Sequence, residues 1–575
     1  MQVELFEVTH IEGAQPACAG SPFIPLRRET HVTRAIRRIE SIMDHGYAIC
    51  VAFSSGKDSS SLTNLVLTTA SARISRGAAV PPIVVVHSNT GVEQPEITAL
   101  ANSEMGKMAR YAREHGIGLD IRVGRPELSA SFPVRVIGGR ALPAFPDTRG
   151  DCSTDWKVLP NTKLLKEAAE DFRTRATVPD VVVMTGVRQS ESAARDRKIE
   201  ARKEVAEGVW TNDEGLLRAS PILDWTSDDV FEYLGLCSAG IEPSYSDFAD
   251  IIRIYRDAGG SSCVVVADMR TANQRTACGS RFGCWACTRV ANDRSMANLI
   301  ESDTERYGYL RPLAELRDFI SNTQYDWSRR HFVGRTIDSG GFITIAADTY
   351  SPQMLEELLY YTLSAQAESG VEIIDHRHLV AIDARWSLYG MHPPFSALRV
   401  YFEVEDGLRK HPPRTTRFPK TPVPRIGRLY VGTRWEQVDG PASLSGLRDA
   451  AREMHSESCG DRLRVLGSGN LVVDYEEDGA IAVDHEGAID FVEFMGREMV
   501  EQYCREDHPD WAAGYLTYLS YGTLSVRRGG SAQIDAILRR TRWRQANRLH
   551  GQQDPDHLRD LCSELYEKQM DLLVC

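Results

Sequence analysis

In the first third of the chain the apolar positions gather into short dense runs separated by longer mixed stretches. "AICVAFS" (48–54), "PPIVVVHSNTG" (81–91), "LDIRV" (119–123) and "DVVVMTG" (180–186) are four such runs, rich in β-branched residues. Runs of this length, without polar alternation, read as strands buried on both faces. Residues 27–46 place apolar positions at helical spacing among many charges, which predicts an amphipathic helix. "SSSLTNLVLTTASARI" and "EITALANSEMGKMARYAREHG" follow the first two runs and read as helices. Alternation of this kind predicts an α/β fold with a parallel sheet flanked by helices.

From about 225 to 375 the pattern turns mainly helical, interrupted by a cysteine-bearing segment. Further on, "RVLGSGNLVVDYEEDGAIAVD" suggests a hairpin, "GAIDFVEFMGREMVEQYCRE" a helix, and "RRTRWRQANRLH" (539–550) a basic helix carrying Trp543. No internal repeat is visible. A chain of 575 residues is longer than one hydrophobic core usually serves. The expected division is 1–245 for the sheet domain, 246–395 for the cysteine region with a helical extension, and 396–575 for an α+β accessory domain.

Composition places the chain among ordinary globular proteins, and no run approaches the ~18 consecutive apolar residues that cross a bilayer. The first residues show no cationic start before an apolar stretch, so a cytoplasmic location without membrane contact is expected. The net charge of −13 argues against a protein that coats nucleic acid. It leaves room for a local basic patch, because the field that attracts a polyanion is local.

The chemistry begins at "AFSSGKDSSSLTNLV", where a strand, a Gly-containing turn and a helix follow one another. Such a turn aims backbone N–H groups and the positive end of a helix at an anion. Ser54, Ser55 and Ser59 add hydroxyl donors around Gly56, and Lys57 adds a charge. Asp58 cannot face phosphate without repulsion, so it should hold Mg²⁺ or the loop itself. The Walker spacing is absent. This shorter loop resembles the PP-loop of ATP pyrophosphatases (adenine nucleotide alpha hydrolase-like proteins), which cut ATP between its α- and β-phosphates and adenylate an acceptor.

"NTGVEQPE" (89–96), "TGVRQSESAARDRK" (185–198) and "SPILDWTSDDVFEYL" (220–234) follow the loop in that order. Together they resemble the phosphoadenylylsulfate (PAPS) reductase branch of the PP-loop superfamily. Carried over by position, the resemblance makes Gly186, Arg188, Glu191, Ser192 and Arg195 nucleotide or catalytic contacts. Guanidinium groups suit that task because they clamp phosphate bidentately. "DWTSDDVFEYL" reads as structural, a capped helix start with a Trp packed beneath it.

A narrower resemblance lies in "SFPVRVIGGRALPAFPDTRGDCSTDWKVLP" and "ACGSRFGCWACTRVANDRSMANLIE". These are similar to the DndC and SspD proteins of bacterial DNA phosphorothioation, over residues from about 30 to about 390. The resemblance implies a sulfurtransferase that consumes ATP, with DNA, a cysteine desulfurase and other phosphorothioation subunits as partners. The sequence departs from the family at Ser55, where the loop usually has a second glycine, and residues beyond about 395 do not match.

Cys263, Cys278, Cys284 and Cys287 lie within 25 residues. In a reducing compartment such a cluster indicates metal binding, either tetrahedral zinc or an iron–sulfur cluster. The family resemblance implies [4Fe–4S]. Cys152, in "GDCSTDWK", stands where related reductases carry cluster-binding cysteines. It could replace Cys263 or Cys278 as a ligand, carry a persulfide beside Lys157, or be structural. The seven other cysteines, His87 and the His-Pro-Pro at 411–413 have no ligand spacing and read as structural.

Two stretches are candidates for contacting DNA. Arg409–Arg434 holds eight Lys/Arg, five Pro and no acid, and Arg539–Arg548 is the basic helix. Both neutralise phosphates in principle, with Phe418 or Trp543 available to stack on a base. The alternatives left open are a PAPS or adenylylsulfate reductase and a tRNA thiolation enzyme, which uses the same ATP chemistry on a base carbonyl.

Overall fold

The computed structural model describes residues 29–424 apart from 147–150, 176–177, 190–196, 198, 201, 203, 212–214, 260–281, 291 and 339. Beyond these it describes 428–430, 463–465, 471–473, 482–526, 531–549 and parts of 556–567. Helix α1 (His31–Asp44) starts at Thr30, whose hydroxyl accepts the Thr33 N–H, and turns Val32, Ala35, Ile39 and Ile42 inward. Strand β1 (Ala48–Phe53) then runs into helix α2 (Lys57–Ser75), and β2 (Ile83–Ser88) into α3 (Pro95–Glu114). β3 (Leu119–Gly124), α4 (Leu159–Arg175), β4 (Val181–Met184), β5 (Trp210–Thr211) and β6 (Leu217–Ala219) complete the sheet.

The strand order is β3-β2-β1-β4-β6-β5, parallel throughout except for β5 against β6. This is the α/β class read from the apolar runs. Their lack of alternation has a direct cause. Ile49, Val51 and Phe53 of β1 pack with α1, α2 and α3, while Ala48 and Cys50 face Leu165, Ala168 and Ala169 of α4. With both faces covered, no position is left for a polar residue. The chain moves outward from β1 to β2 and β3, then returns to β4 on the other side of β1. That reversal opens a crevice at the carboxyl ends of β1 and β4, the place where open α/β sheets bind ligands.

Past the sheet come α5 (Ser227–Ser238), α6 (Ala249–Ala258), α7 (Arg294–Ser302) and α8 (Arg311–Asn322). α5 begins with a capping box in which Thr226 and Asp229 satisfy each other's backbone N–H groups, over the buried Trp225. The mainly helical expectation fails between 330 and 350. There β7 (Arg330–Ile337) and β8 (Phe342–Tyr350) form an antiparallel hairpin, joined by β9 (Arg428–Tyr430). The overlooked signal is the "DSGG" turn between two β-branched stretches. Asp338 accepts the N–H groups of Gly340 and Phe342, and Gly341 takes a φ of +80°.

A second apolar core holds α9 (Pro352–Ser369), α10 (His376–Tyr389) and α11 (Ser396–Glu405). Residues Val483, Phe491, Tyr515, Tyr518 and Leu538 from the far end of the sequence complete it. The expected hairpin is present as β10 (Leu463–Val465) against β11 (Leu471–Val473). The expected helix after it is present over 485–503, with one wider π turn at Phe491–Met495. No helix among the described residues is long and apolar enough to cross a membrane.

Asp383 of α10 ties this core together. Its carboxylate accepts the Ala397 N–H at 2.7 Å, at the start of α11. It also accepts the Tyr518 hydroxyl at 3.0 Å, from helix α12 (Ala513–Ser520). Burial pushes the carboxyl up to about 7 against those donors. Asp383→Ala leaves two buried donors unpaired, so a loss of roughly 2–4 kcal/mol is expected. Urea unfolding measures it, and an unchanged midpoint would contradict the tie.

Candidate nucleotide and thiol site

β1 delivers the chain into the crevice at Phe53, and the serines then close the turn on itself. The Ser54 N–H donates to Ser59 Oγ at 3.2 Å, the two hydroxyls lie 3.0 Å apart, and Ser59 Oγ donates to the Gly56 carbonyl at 3.1 Å. Ser55 takes φ +56° and is fully buried. Its hydroxyl donates to the Ser54 carbonyl at 2.6 Å. The usual second glycine would adopt this left-handed backbone at no steric cost, whereas serine bears about 1–2 kcal/mol of strain. The departure at Ser55 is thus a change of strain with the turn kept.

Gly56 is the N-cap of α2 and supplies no side-chain cap. The Lys57 N–H instead donates to the Tyr255 hydroxyl at 3.4 Å. Lys57 Nζ lies 2.8 Å from Asp58, and Arg188 Nε donates to the other Asp58 oxygen at 2.6 Å. Asp58 therefore lies between two cations, in the role of holding the loop. Arg188 also donates to the Trp225 carbonyl at 3.3 Å. The Trp225 segment is in turn anchored by the buried Arg38, which reaches the Pro221 carbonyl at 2.8 Å and Asp224 at 2.7 Å.

Gly186, just after β4, approaches this turn closely. A Cβ there would stand 2.9 Å from the Asp58 carbonyl carbon and 3.0 Å from the Ser59 nitrogen. The structure thus brings Ser54, Ser55, Gly56, Lys57, Asp58, Ser59, Gly186 and Arg188 into one crevice. Glu191, Ser192 and Arg195 lie outside the described residues.

Sequence reasoning missed the aromatic wall. The Lys57 ammonium lies 6.0 Å from the Phe231 ring centre and 5.8 Å from that of Tyr255. Tyr255 belongs to the apolar face of α6, and core packing alone accounts for such a face, so nothing in the residue pattern points to its second contact.

The thiols form a neighbouring group. Cys284 pairs with Glu93 in an isolated antiparallel bridge, the Trp285 N–H donates to the Val92 carbonyl at 2.9 Å, and the Cys287 N–H donates to the Cys284 carbonyl at 2.9 Å. Lys157 reaches Glu93 at 3.4 Å and acts electrostatically on both Cys284 and Cys152. Burial pushes the Cys284 thiol up to about 11, with Lys157 opposing. Burial also raises Cys152, the Cys287 charge adds to the rise, and Arg135 opposes it.

Three soft donors beside cations fit a sulfur-ligated metal group. Cys263 and Cys278 lie outside the described residues. Among the described residues no three cysteine sulfurs lie within 4.8 Å of one another. Tetrahedral zinc, with Zn–S near 2.3 Å, would hold sulfurs about 3.8 Å apart. Cys50 and Cys237 are pushed up to about 12 and about 11 by burial and lie in the apolar cores.

Of the two basic stretches, the helical one is engaged internally. In α13 (Ser531–Ala546) Trp543 and Arg544 are buried, and Arg542 pairs with Asp510 at 2.6 Å. Trp543 is thus unavailable to stack on a base. The other has no regular secondary structure over 409–424, with Arg409, Lys410, Arg414, Arg417 and Lys420 exposed. Its backbone is fastened at Asn322, which exchanges bonds of 2.9 Å with Phe418 and Thr415, and at Trp327, which donates to Thr421 at 2.8 Å.

Residues 48–290 match the family model for the phosphoadenosine phosphosulfate reductase domain. Over that part, less than half of its length, the chain is similar to that domain. Among solved structures it is similar to the PAPS reductase of Candida auris in a phosphate complex (13% identity, 37% of this chain and 81% of that one, TM-score 0.22). The U34-tRNA thiolase NcsA of Methanococcus maripaludis, with its [4Fe-4S] cluster, is 13% identical over 39% of this chain and 71% of that one, with a TM-score of 0.24. The FMN adenylyltransferase of Candida glabrata is 12% identical over 41% and 66%, with a TM-score of 0.23. At that identity and overlap the likeness says nothing of substrate. Among curated proteins none matches the chain.

Gly186→Ala tests the close approach of the two turns. Overpacking of this kind costs about 1–3 kcal/mol of folding stability, and because the atoms it pushes are the Asp58 and Ser59 backbone, pyrophosphate binding should weaken as well. Calorimetric titration measures the loss, with circular dichroism as the control for folding. Unaltered affinity would show that the β4 turn is not part of the site.

Proposed function

We propose that the protein is an ATP pyrophosphatase of DNA phosphorothioate modification, adenylating a backbone phosphate so that sulfur can replace a non-bridging oxygen. The observation that carries this reading is the Lys57–Asp58–Arg188 group on the first turn of α2. It sits in a loop that lacks the Walker spacing, in the part of the chain that matches the PAPS reductase domain, and is joined to the thiol segment through Tyr255 and Phe282. The resemblance of 131–160 and 277–301 to DndC and SspD supplies the acceptor.

In the first step a non-bridging oxygen of a DNA phosphodiester attacks the α-phosphorus of ATP. The bond from that phosphorus to the bridging oxygen breaks, and pyrophosphate leaves with the electron pair. The backbone N–H groups of the turn and Lys57 bind the β- and γ-phosphates, and Arg188 offers its guanidinium to the charge that develops. Asp58 would hold Mg²⁺, which neutralises phosphate charge when bound. In the second step a persulfide sulfur, supplied through a cysteine desulfurase, attacks the DNA phosphorus, and AMP departs with the oxygen. A further thiol takes the carrier sulfur into a disulfide and leaves the phosphorothioate.

Glu191, Ser192 and Arg195 belong to the same nucleotide site in this reading. Cys284, Cys287 and two of Cys152, Cys263 and Cys278 would hold a [4Fe–4S] cluster, and the cysteine left over would be the one to carry sulfur as a persulfide. The arm at 409–424 contacts the DNA backbone. The setting is cytoplasmic, with other phosphorothioation subunits presenting the DNA.

The matched family favours a second reading, reduction of PAPS or adenylylsulfate without ATP turnover. Against it, the sequence has no Cys-Cys pair. Thiolation of a tRNA base would use the same adenylation on a carbonyl oxygen.

Protein purified without oxygen and incubated with ATP, Mg²⁺ and DNA should yield AMP and pyrophosphate, and Asp58→Ala should abolish both. Intact ATP together with turnover of adenylylsulfate would replace this reading with the reductase. The arm has its own test in the salt dependence of DNA binding. Each lost phosphate contact lowers the log–log slope by about 0.7–0.9, so Arg414→Glu with Arg417→Glu should lower it by roughly 1.4–1.8. An unchanged slope would remove the arm from the interface.

A further inference from the structure

The Lys57 N–H has one hydrogen, and the Tyr255 hydroxyl accepts it. That oxygen also presses on the turn from outside, since a Cβ on Gly56 would stand 3.3 Å from it. A phosphate bound at the start of α2 draws on the same first-turn N–H groups and the same space beside Gly56. The two oxygens cannot both be there. We infer that Tyr255 is a displaceable plug of the phosphate cradle, and that its displacement carries nucleotide occupancy to the thiol group.

The second half of the inference follows from what the Tyr255 ring touches. It meets Phe231 edge-on at 6.0 Å and Phe282 edge-on at 5.3 Å. Phe282 is two residues before Cys284, and it packs against both apolar cores of the molecule. Two residues further, Cys284 is bridged to Glu93, and Glu93 is paired with Lys157. A ring that yields to phosphate therefore moves the residue that leads directly into the Cys284–Cys287 turn. Close-packed rings transmit such a shift because their contacts leave little slack. The consequence is an order of events in which the thiol group is rearranged only once the nucleotide is seated.

This inference rests on the pyrophosphatase reading, and the test separates the two. Tyr255→Phe removes the competing oxygen and keeps the ring. Inorganic pyrophosphate, titrated calorimetrically into the full chain, should bind Tyr255→Phe about three- to tenfold more tightly than wild type, the range expected when one competing hydrogen bond is removed. Equal or weaker binding by the variant would overturn the plug, because a hydroxyl that helps to bind phosphate gives the opposite sign. Hydrogen exchange reads the relay. Pyrophosphate should change the exchange of amides 282–288 in wild type but not in Phe282→Ala, with pyrophosphate affinity in that variant within about twofold of wild type. Exchange in wild type that pyrophosphate leaves unmoved would overturn the relay. If neither wild type nor Tyr255→Phe binds pyrophosphate, both the plug and the pyrophosphatase reading fail. Binding by wild type without tightening in the variant removes the plug alone.

Discussion

The arrangement depends on one close approach, that of the turn after β4 to the turn after β1. Parallel strands at a switch point leave their carboxyl ends side by side, but the flanking turns meet only if one lacks a side chain. Gly186 meets that condition, and Arg188, two residues on, then reaches Asp58 at 2.6 Å. Asp58 holds Lys57 on its other side. The buried Arg38 fixes the 221–224 segment, and the Trp225 carbonyl after it receives Arg188. A charge buried this deeply is tolerated because each member has a partner and none faces apolar surface alone. The cations are therefore in position before any phosphate is bound, and what binding has to move is the Tyr255 hydroxyl beside them.

That crevice is built on one apolar core, while the Cys284–Cys287 turn leans on the other. Trp285, Ala286 and Phe132 pack with the helices of 311–404, whereas β1, α2 and α6 pack with the sheet. Chemistry that uses both sites needs a mechanical link between the cores, and few residues touch both. Phe282 is one of them. The pairs Glu93–Cys284 and Glu93–Lys157 add a polar connection along the edge of the crevice.

Much of the sheet could be read from sequence because full burial leaves strong marks. Val84, Val85, Val182 and Val183 sit in runs with no polar position, and few other structures produce such runs. The loop was readable for a related reason: Gly56, Lys57 and Asp58 between a strand and a helix admit few backbone solutions. What stayed hidden depends on contacts between distant segments. Tyr255 occupies an ordinary apolar position of α6, and only its neighbour 198 residues away gives it a role. Trp543 misled for the same reason. In sequence it belongs to a basic helix, but it is turned into the interior, where Thr541 donates to the Leu388 carbonyl one turn away. The hairpin at 330–350 was lost because its pairing is decided by the turn at Asp338, and a helical reading of its flanks passes over that turn.

Charge adds the last constraint. A protein of net charge −13 repels DNA at long range, yet at physiological salt that repulsion fades beyond about 8 Å. What a phosphate meets at contact is the local arrangement, and most local arrangements here are neutral pairs. Arg497 lies 2.8 Å from Asp406, Arg399 lies 2.6 Å from Glu356, and Arg542 lies 2.6 Å from Asp510. The stretch from 409 to 424 contains no acid of its own, and Arg414 and Arg417 are exposed on it. Fastened at Asn322 and Trp327, it has less chain entropy to lose on binding than a free tail of the same composition. A short fixed row of cations on an acidic body favours a polyanion that has already been brought close, and it does little to collect one from solution. Partners that hold the DNA, and a site that acts only at contact, are the division of labour this charge pattern suits.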